Sequence, residues 1–409
     1  MTGLLNVGLR GITMAARFVL LVVLAAYLAP AEVGVFALFT ATNQWGIYLQ
    51  GLELYLFTIR EVVAAGPHEW ARRTRDAFSL YGIVFAVASL LWTACFLGGF
   101  MPWRLYAWFV VLLVLEQAGQ ELYRLLNAFG RPLAGSLVLF ARTGSWMYVV
   151  SILMWRTPAY RDLDTVFAAW VIGGSAAVVL ALVFLRDLPW RGLPRVDWTW
   201  LRRGIAVSVP LLFGSLAWRG IAVFERWYVG YAQGESALGV FGFYAAISAA
   251  LPVLADSGIG AVLYPRLMKA WQANDHTAYR HQLRQLWLSF GLLLAVCVPV
   301  AAIAMPFVVG HLAHGRYAAE VPTFNVLLAA SALATLASVP QYALWSRGKD
   351  RSLVTIPIAG LATAVIADLI LVPMYGGRGA AIGQLVAMAL ILVLRMGALV
   401  VADRREGAR

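Results

Sequence analysis

Arginines inside apolar stretches are the residues of this chain whose type and spacing could do chemistry. Arg10 and Arg17 lie in the first apolar run, and Arg219 and Arg226 lie in the seventh. Each pair is seven residues apart, nearly two helical turns, so both guanidinium groups share one helix face. The planar fork of arginine pairs with two phosphate oxygens at once. A cationic face in each half therefore predicts an anionic ligand such as a diphosphate or an acidic sugar.

Burial in a membrane makes such arginines costly. An arginine near the bilayer centre costs about 2.5–3.5 kcal/mol on insertion scales, so it normally faces a water-filled cavity or a partner. Arg60 and Arg142 complete the predicted substrate-binding set, although Arg60 is close to a helix end and could instead anchor it. The alternative for the whole set is extension toward lipid headgroups together with ion pairing, notably with Glu225.

Four acids inside the apolar runs are candidates for ion coupling, with H⁺ or Na⁺ as the coupling ion: Glu53, Glu225, Asp256 and Asp368. Ionisable groups inside membrane segments commonly form proton or cation pathways. Asp256 and Asp368 have no cation within a helical turn in sequence, which favours them. Charge compensation of a neighbouring arginine is the alternative for Glu225, which adjoins Arg226, and for Glu121, which lies three residues before Arg124.

The elements that must position these groups are membrane helices. The chain has 409 residues, of which 62% are apolar and 13% are charged, about half the charged fraction of roughly 25% in soluble domains. A helix needs about 20 apolar residues to cross a bilayer. Twelve such runs occur, at about 3–29, 34–60, 77–99, 104–128, 134–155, 164–185, 204–231, 236–261, 285–311, 321–345, 353–373 and 379–401. This pattern predicts an all-α polytopic membrane protein of about 12 transmembrane helices.

The distribution of basic loops predicts orientation. Alternate loops and the C-terminal tail carry 19 arginines and lysines, whereas the other loops carry five. Because cytoplasmic loops are enriched in Lys and Arg, both termini are expected in the cytoplasm of a bacterial inner membrane protein. The net charge of +12 is thereby accounted for without a nucleic-acid partner. The longest basic loop, 186–203, divides the chain into an N-terminal six-helix lobe, 1–185, and a C-terminal lobe with a cytoplasmic tail, 204–409.

Short motifs recur in the same order in both halves. Arg10-Gly11-Ile12 reappears as Arg219-Gly220-Ile221, Gly34-Val35-Phe36 as Gly239-Val240-Phe241, and Ser136-Leu137-Val138 as Ser352-Leu353-Val354. A six-plus-six duplication follows, with two pseudo-symmetric lobes around a central cavity. Transporters place their substrate site between such repeats. Because each half supplies the other's partner lobe, a monomer is expected.

Enzymatic signatures are missing from the sequence. There is no GxxxxGK[ST] phosphate-binding loop and no spacing typical of a catalytic triad or of a metal centre. The sequence therefore predicts a protein that is not an enzyme and has no cofactor.

Two segments resemble a known family. They are Tyr27-Leu28-Ala29-Pro30-Ala31-Glu32-Val33-Gly34-Val35-Phe36 and Asp368-Leu369-Ile370-Leu371-Val372-Pro373-Met374-Tyr375-Gly376-Gly377-Arg378-Gly379-Ala380-Ala381-Ile382-Gly383. Both are similar to Wzx-type polysaccharide biosynthesis flippases of the multidrug/oligosaccharidyl-lipid/polysaccharide exporter superfamily. Asp368 stands where that family usually has Asn.

The resemblance implies a flippase. Its expected substrate is an undecaprenyl-diphosphate-linked oligosaccharide, moved by alternating access from the cytoplasmic to the periplasmic leaflet for surface polysaccharide synthesis. Polysaccharide polymerase and chain-length proteins are the implied partners, besides membrane lipids. The arginine positions also resemble those of lipid II flippases. Three alternatives stay open: a cation-coupled drug exporter of the same superfamily, a lipid II flippase, and a non-transporting scaffold of a polysaccharide synthase.

Overall fold

The computed structural model describes residues 2–312 and 317–407, and almost all of these residues are helical. Within these two ranges the chain has no β-strand. The α-helices are, in chain order, α1 (Thr2–Tyr27), α2 (Pro30–Gly51), α3 (Tyr55–Ala65), α4 (Trp70–Leu97), α5 (Tyr106–Ala128), α6 (Pro132–Phe140), α7 (Trp146–Arg156), α8 (Leu163–Phe184), α9 (Trp198–Gln233), α10 (Glu235–Ser248), α11 (Ala250–Leu254), α12 (Ala261–Gln272), α13 (His276–Leu312), α14 (Val321–Ser346), α15 (Asp350–Tyr375) and α16 (Gly377–Gly407).

These helices form twelve segments. Helices α2 and α3 belong to one segment that is interrupted at Leu52 and Glu53, where the backbone φ angles are positive. A π-helical turn, Ala141–Ser145, joins α6 to α7, and a second one, Ala255–Gly260, joins α11 to α12. The predicted all-α polytopic membrane fold is confirmed.

Length and composition support membrane insertion of these segments. In the part of the chain that the structure describes, nine helical stretches are long and apolar enough to cross a membrane. Helix α1 contributes a shorter apolar stretch, Gly11–Tyr27. The remaining segments, α2 with α3 and α5, are less apolar because they contain polar side chains that are buried inside the protein.

The chain forms two compact units. The first comprises Met1–Leu28 and Phe39–Leu212, and the second comprises Ala29–Leu38 and Phe213–Arg409. The beginning of α2 thus packs with the second unit. The lobe boundaries expected from the basic loop stay a prediction.

Aromatic side chains build the core of the first unit. The Phe39 ring lies 4.4 Å from that of Phe167, and Trp146 stacks on Trp170 at 5.4 Å. All four side chains are at least nine-tenths buried. Gly173 lets α8 approach this stack, since a Cβ there would lie 2.8 Å from Trp146 Cβ. Tight aromatic packing fixes α8 against the helices that carry the polar residues described below.

Glycines bring helices into close contact in the second unit. A Cβ at Gly34 would lie 2.8 Å from the backbone nitrogen of Gly239, so the two repeated Gly-Val-Phe motifs meet at this crossing. On α16, a Cβ at Gly379 would lie 2.8 Å from the backbone nitrogen of Val372. Small residues at helix crossings are the usual way for membrane helices to approach closely.

Candidate functional site

Arg17 presents its side chain at the surface of α1. Its neighbours Ala16 and Leu20 are buried, whereas Arg17 is exposed. The guanidinium lies close enough to Arg142 and Glu116 for electrostatic interaction. The side chain of Arg10, the other predicted residue of this helix, lies outside the described part of the structure. Arg17 is therefore an accessible positive charge within a membrane segment.

Arg142 is placed differently, because it is buried and bound to α5. Its Nη1 donates to the Glu116 carbonyl oxygen at 3.2 Å and to Gln120 Oε1 at 3.3 Å. The same nitrogen lies 3.7 Å from Glu116 Oε2, while Trp170 Nε1 donates to Glu116 Oε1 at 2.7 Å. Gly119 makes room for this arrangement, since a Cβ there would lie 2.9 Å from Arg142 Cδ. The charge of Arg142 is therefore balanced inside the protein.

The predicted arginines of the second unit lie on α9. Arg219 and Arg226 are both half-buried. Arg226 Nη1 donates to the carbonyl oxygen of Ala222 at 2.8 Å, and the guanidinium interacts electrostatically with Glu225. Their seven-residue spacing on one continuous helix places them on the same face, as predicted from the sequence.

Glu225 and Asp368 bring two carboxylates together in the second unit. Glu225 on α9 is 1% exposed and Asp368 on α15 is 0% exposed. The two groups interact electrostatically, and none of their four carboxylate oxygens has a hydrogen-bond partner among the described residues. Gly383 on α16 provides the space for Asp368, whose Oδ1 a Cβ at that position would strike. Two buried carboxylates at close range repel each other unless a proton or another cation is bound.

Asp256 lies in a polar group around the second π-helical turn. Its side chain is exposed, and Tyr342 donates its hydroxyl hydrogen to Asp256 Oδ1 at 2.9 Å. Arg395 interacts electrostatically with this carboxylate. Arg395 is buried, donates to the Ala337 carbonyl oxygen at 2.9 Å, and lies 5.1 Å from the Trp218 ring centroid.

Arg395 was missed in the sequence. The signal was present, because this arginine lies well inside the last apolar run, where a charge is costly. Its interaction with Asp256 could not be found by looking within one turn of sequence, since the two residues lie on different helices.

Glu53 lies at the interruption between α2 and α3. It is 4% exposed and has a φ of 54°. Its electrostatic neighbours include Tyr55 and Arg124. The Arg124 guanidinium lies 3.6 Å from the Tyr55 ring centroid. Arg60, predicted with the substrate-binding set, is exposed on the following helix, α3.

The basic loop between α8 and α9 is held by ion pairs within the first unit. Asp197 accepts a hydrogen bond from the Trp200 backbone at 2.9 Å and lies 3.1 Å from Arg72 Nη2 and 3.3 Å from Arg73 Nη1. The hydrogen bond from Trp200, followed by the charges of Arg73 and Arg72, holds the pKa of Asp197 below its usual value. Some of the loop cations that predict orientation therefore also anchor the loop.

The structure thus brings the predicted residues together in separate groups. Arg17 and Arg142 share the first, Glu225 and Asp368 the second, while Asp256 and Glu53 each lie at an interruption of a helical segment. Glu225 interacts electrostatically both with Asp368 on α15 and with the adjacent Arg226. Charge compensation by Arg226 therefore stays an alternative for Glu225.

Solved structures with the same fold are transporters and a flippase. An inward-facing multidrug resistance MATE family transporter of the MOP superfamily matches with a TM-score of 0.75 and 14% identity over 98% of each chain. The lipid II flippase MurJ, in an inward closed conformation, matches with a TM-score of 0.68 and 11% identity over 96% of this chain and 87% of that one. A MATE P26A mutant matches with a TM-score of 0.66 and 12% identity, over 98% and 93% of the two chains. No protein-family model matches the chain, and no curated protein matches its sequence.

Proposed function

We propose that this chain, with the fold that MATE transporters and MurJ share, is a flippase for an undecaprenyl-diphosphate-linked oligosaccharide. It moves this lipid from the cytoplasmic to the periplasmic leaflet for surface polysaccharide synthesis, as in Wzx-type members of the exporter superfamily. The observation that carries the proposal is Arg17, an exposed guanidinium within a membrane segment. An exposed arginine inside a membrane segment is costly, and binding an anion there offsets that cost.

The arginines differ in the roles that their surroundings allow. Diphosphate binding is assigned to Arg17, which is exposed, and to Arg219 and Arg226, which are half-buried. Arg10 lies seven residues before Arg17 on α1 and is assigned the same role. Arg60, exposed on α3, provides a further contact for the anion. Arg142 supports the group through Glu116 instead, because its guanidinium is buried and already bound.

Coupling to an ion gradient is assigned to the acids. The Glu225–Asp368 pair carries the coupling H⁺ or Na⁺, since two buried carboxylates without hydrogen-bond partners favour a bound cation. Asp256 is exposed and available to exchange a proton with water, although Arg395 balances its charge.

The proposed setting is a bacterial inner membrane, with both termini in the cytoplasm and the chain acting as a monomer. Polysaccharide polymerase and chain-length proteins would then meet the translocated lipid on the periplasmic side. The 19-to-five bias of the loop cations supports this orientation.

Reconstitution tests the proposal. The purified chain is placed in liposomes with a fluorescent undecaprenyl-diphosphate oligosaccharide, and transfer to the opposite leaflet is scored with and without a proton or sodium gradient. We expect gradient-dependent transfer that Arg17→Ala abolishes. The matched control is Arg156→Ala, which removes an exposed arginine from the end of α7. Transfer by Arg17→Ala at the wild-type rate would exclude Arg17 from substrate binding.

A second candidate is export of a cationic drug. The exposed Asp256 carboxylate, together with the likeness to multidrug MATE transporters, favours it. A resistance assay in a drug-sensitive strain separates the candidates, since a cation exporter needs Asp256 but not Arg17. Complementation of a strain depleted of its lipid II flippase tests lipid II as the substrate. A non-transporting scaffold of a polysaccharide synthase would transfer no lipid in the liposome assay.

A further inference from the structure

A polar row lies inside the first unit and has no part in the proposed function. It consists of Asn43 and Gln50 on α2, Gln117 on α5 and the indole of Trp92 on α4. These side chains are 0%, 1%, 5% and 4% exposed, in that order. None of them is charged. Polar groups buried within membrane helices need partners inside the protein, because lipid tails offer none.

Glycines of α2 bring two members of the row against that helix. A Cβ at Gly46 would lie 3.1 Å from Cζ2 of the Trp92 ring, and a Cβ at Gly51 would lie 3.0 Å from Gln117 Nε2. Since Cζ2 and Nε1 are bonded to the same ring carbon, the indole N–H also lies close to α2. The side chains from α4 and α5 therefore meet α2 at these two glycines.

The other two members lie on the matching face of α2. Asn43 and Gln50 are seven residues apart, nearly two turns, so they share a face and lie about 10 Å apart along the helix axis. Each residue of an α-helix is rotated by about 100° from the one before, which places this face between the directions of Gly46 and Gly51. Asn43 and Gln50 therefore lie on the side of α2 that packs against α4 and α5.

Six polar atoms of the row have no hydrogen-bond partner among the described residues. They are Asn43 Nδ2 and Oδ1, Gln50 Nε2, Gln117 Nε2 and Oε1, and Trp92 Nε1. Buried polar atoms in folded proteins are almost always hydrogen-bonded, either to protein or to ordered water. The row therefore needs a partner that the described side chains do not supply.

We propose that the first unit binds a row of ordered water molecules between α2, α4 and α5, held by Asn43, Gln50, Gln117 and Trp92. Water both donates and accepts, and a buried water molecule makes about three hydrogen bonds. One water molecule cannot reach both Asn43 and Gln50, so about two or more are bound. The site goes beyond the proposed function, because it uses neither the lipid nor the ion gradient.

Water suits the row better than an ion does. Four of the six atoms are nitrogens that donate, and two are oxygens that accept. A cation would be repelled by the N–H groups, and an anion would leave both oxygens without a donor. Glu121, one turn after Gln117 on α5, already accepts hydrogen bonds from Arg124 and Tyr81. A neutral occupant that donates and accepts therefore satisfies the row.

Hydroxyl-radical footprinting of the purified full chain in nanodiscs tests the site. Synchrotron X-rays split water, and the radicals oxidise the side chains that touch each water molecule. Bound water therefore marks buried neighbours that bulk water does not reach. Trp92 is the reporter, and mass spectrometry compares its oxidation rate with that of Trp146. This reference is 3% exposed, and its Nε1 already donates to the Arg142 carbonyl oxygen at 2.8 Å.

We expect Trp92 to be oxidised several-fold faster than Trp146 in the wild type. Asn43→Leu and Gln117→Met nearly keep the side-chain size but remove the hydrogen-bonding groups, so each should lower the Trp92 rate several-fold. The control variant is Asn127→Leu on α5, whose amide nitrogen already donates to a backbone carbonyl oxygen at 2.7 Å. This change should leave the Trp92 rate as it is.

Mixing with ¹⁸O-labelled water shortly before irradiation separates bound from bulk water. Bound water exchanges slowly, so the isotope should enter Trp92 later than the exposed Trp103. Three results would overturn the proposal: oxidation of Trp92 no faster than that of Trp146 in folded wild-type protein, isotope uptake as fast as at Trp103, or a Trp92 rate that neither row variant lowers. The first two need no variant, so they decide the question where a substitution prevents folding. Lipid transfer is measured separately, and its failure would leave this site untouched.

Discussion

Exchanging Arg142 for Met should destabilise the first unit strongly, whereas exchanging Arg17 should not. Arg142 is 6% exposed and lies 3.7 Å from the Glu116 carboxylate, which is itself 1% exposed. The Arg142→Met variant leaves Glu116 buried with a hydrogen bond from Trp170, and with Arg17, whose side chain is exposed, as an opposite charge within electrostatic range. Breaking a buried ion pair on one side is costly because the remaining charge is uncompensated.

The size of the effect follows from the distance. Two unit charges 3.7 Å apart attract by about 4.5 kcal/mol at an effective dielectric constant near 20. This agrees with the loss of about 3–5 kcal/mol that removal of one buried partner produces. Removing both charges in Arg142→Met/Glu116→Gln should cost clearly less than the sum of the single changes, with a coupling energy of about 2–3 kcal/mol. Arg17→Met should cost less than about 1 kcal/mol, because the side chain is exposed.

Equilibrium unfolding in mixed detergent micelles measures these energies. The proteins compared are the wild type, Arg142→Met, Glu116→Gln, the double variant and Arg17→Met. Lipid transfer is measured in parallel in liposomes. We expect the double variant to recover much of the lost stability and to retain transfer, whereas Arg17→Met stays stable and loses it. A single Arg142→Met change that leaves stability intact but abolishes transfer would refute the reasoning, because Arg142 would then act on substrate.

Two further changes test other parts of the structure. Gly383→Ala should displace the Asp368 carboxylate and destabilise the protein by about 1–3 kcal/mol, and lipid transfer should no longer depend on the ion gradient. Gly397→Ala on the same helix is the control, because a Cβ there meets nothing within 4 Å; it should change neither stability nor the gradient dependence of transfer. Because the pKa of Asp197 is lowered in the folded chain, the stability that it contributes is present above its unfolded value of about 3.9 and is lost as the pH falls below it. Pepsin cleavage of the loop between α8 and α9 should therefore rise below about pH 4, and Asp197→Asn should be cleaved readily already above that pH.

Most of the fold could be predicted from the sequence because bilayer thickness sets a minimum length of about 20 apolar residues for each spanning helix. The twelve apolar runs correspond to twelve helical segments within residues 2–312 and 317–407. The interruption at Leu52 and Glu53 could not be predicted, since neither residue type favours a positive φ and the apolar run continues through it. Tertiary packing, not local preference, sets that backbone.

The site was predicted unevenly, for a similar reason. Periodicity along a helix shows which residues share a face, so the spacing of Arg219 and Arg226 was informative. It does not show which helices are neighbours. The proximity of Glu225 to Asp368 and that of Asp256 to Arg395 are both between helices far apart in the chain. Spacing within one helical turn of sequence cannot reveal pairs whose members lie on different helices.

The repeated motifs align the two interrupted segments, whose neighbouring charges differ. The offset that aligns Gly34 with Gly239 places Glu53 at Gly258, inside the π-helical turn that also contains Asp256. Each half therefore breaks its second segment at an equivalent point, beside an acid. In the second unit Arg395 interacts electrostatically with this acid, whereas in the first unit Arg124 interacts with Glu53. The interruption of the second segment is thus common to both halves, whereas the charged residues beside it differ.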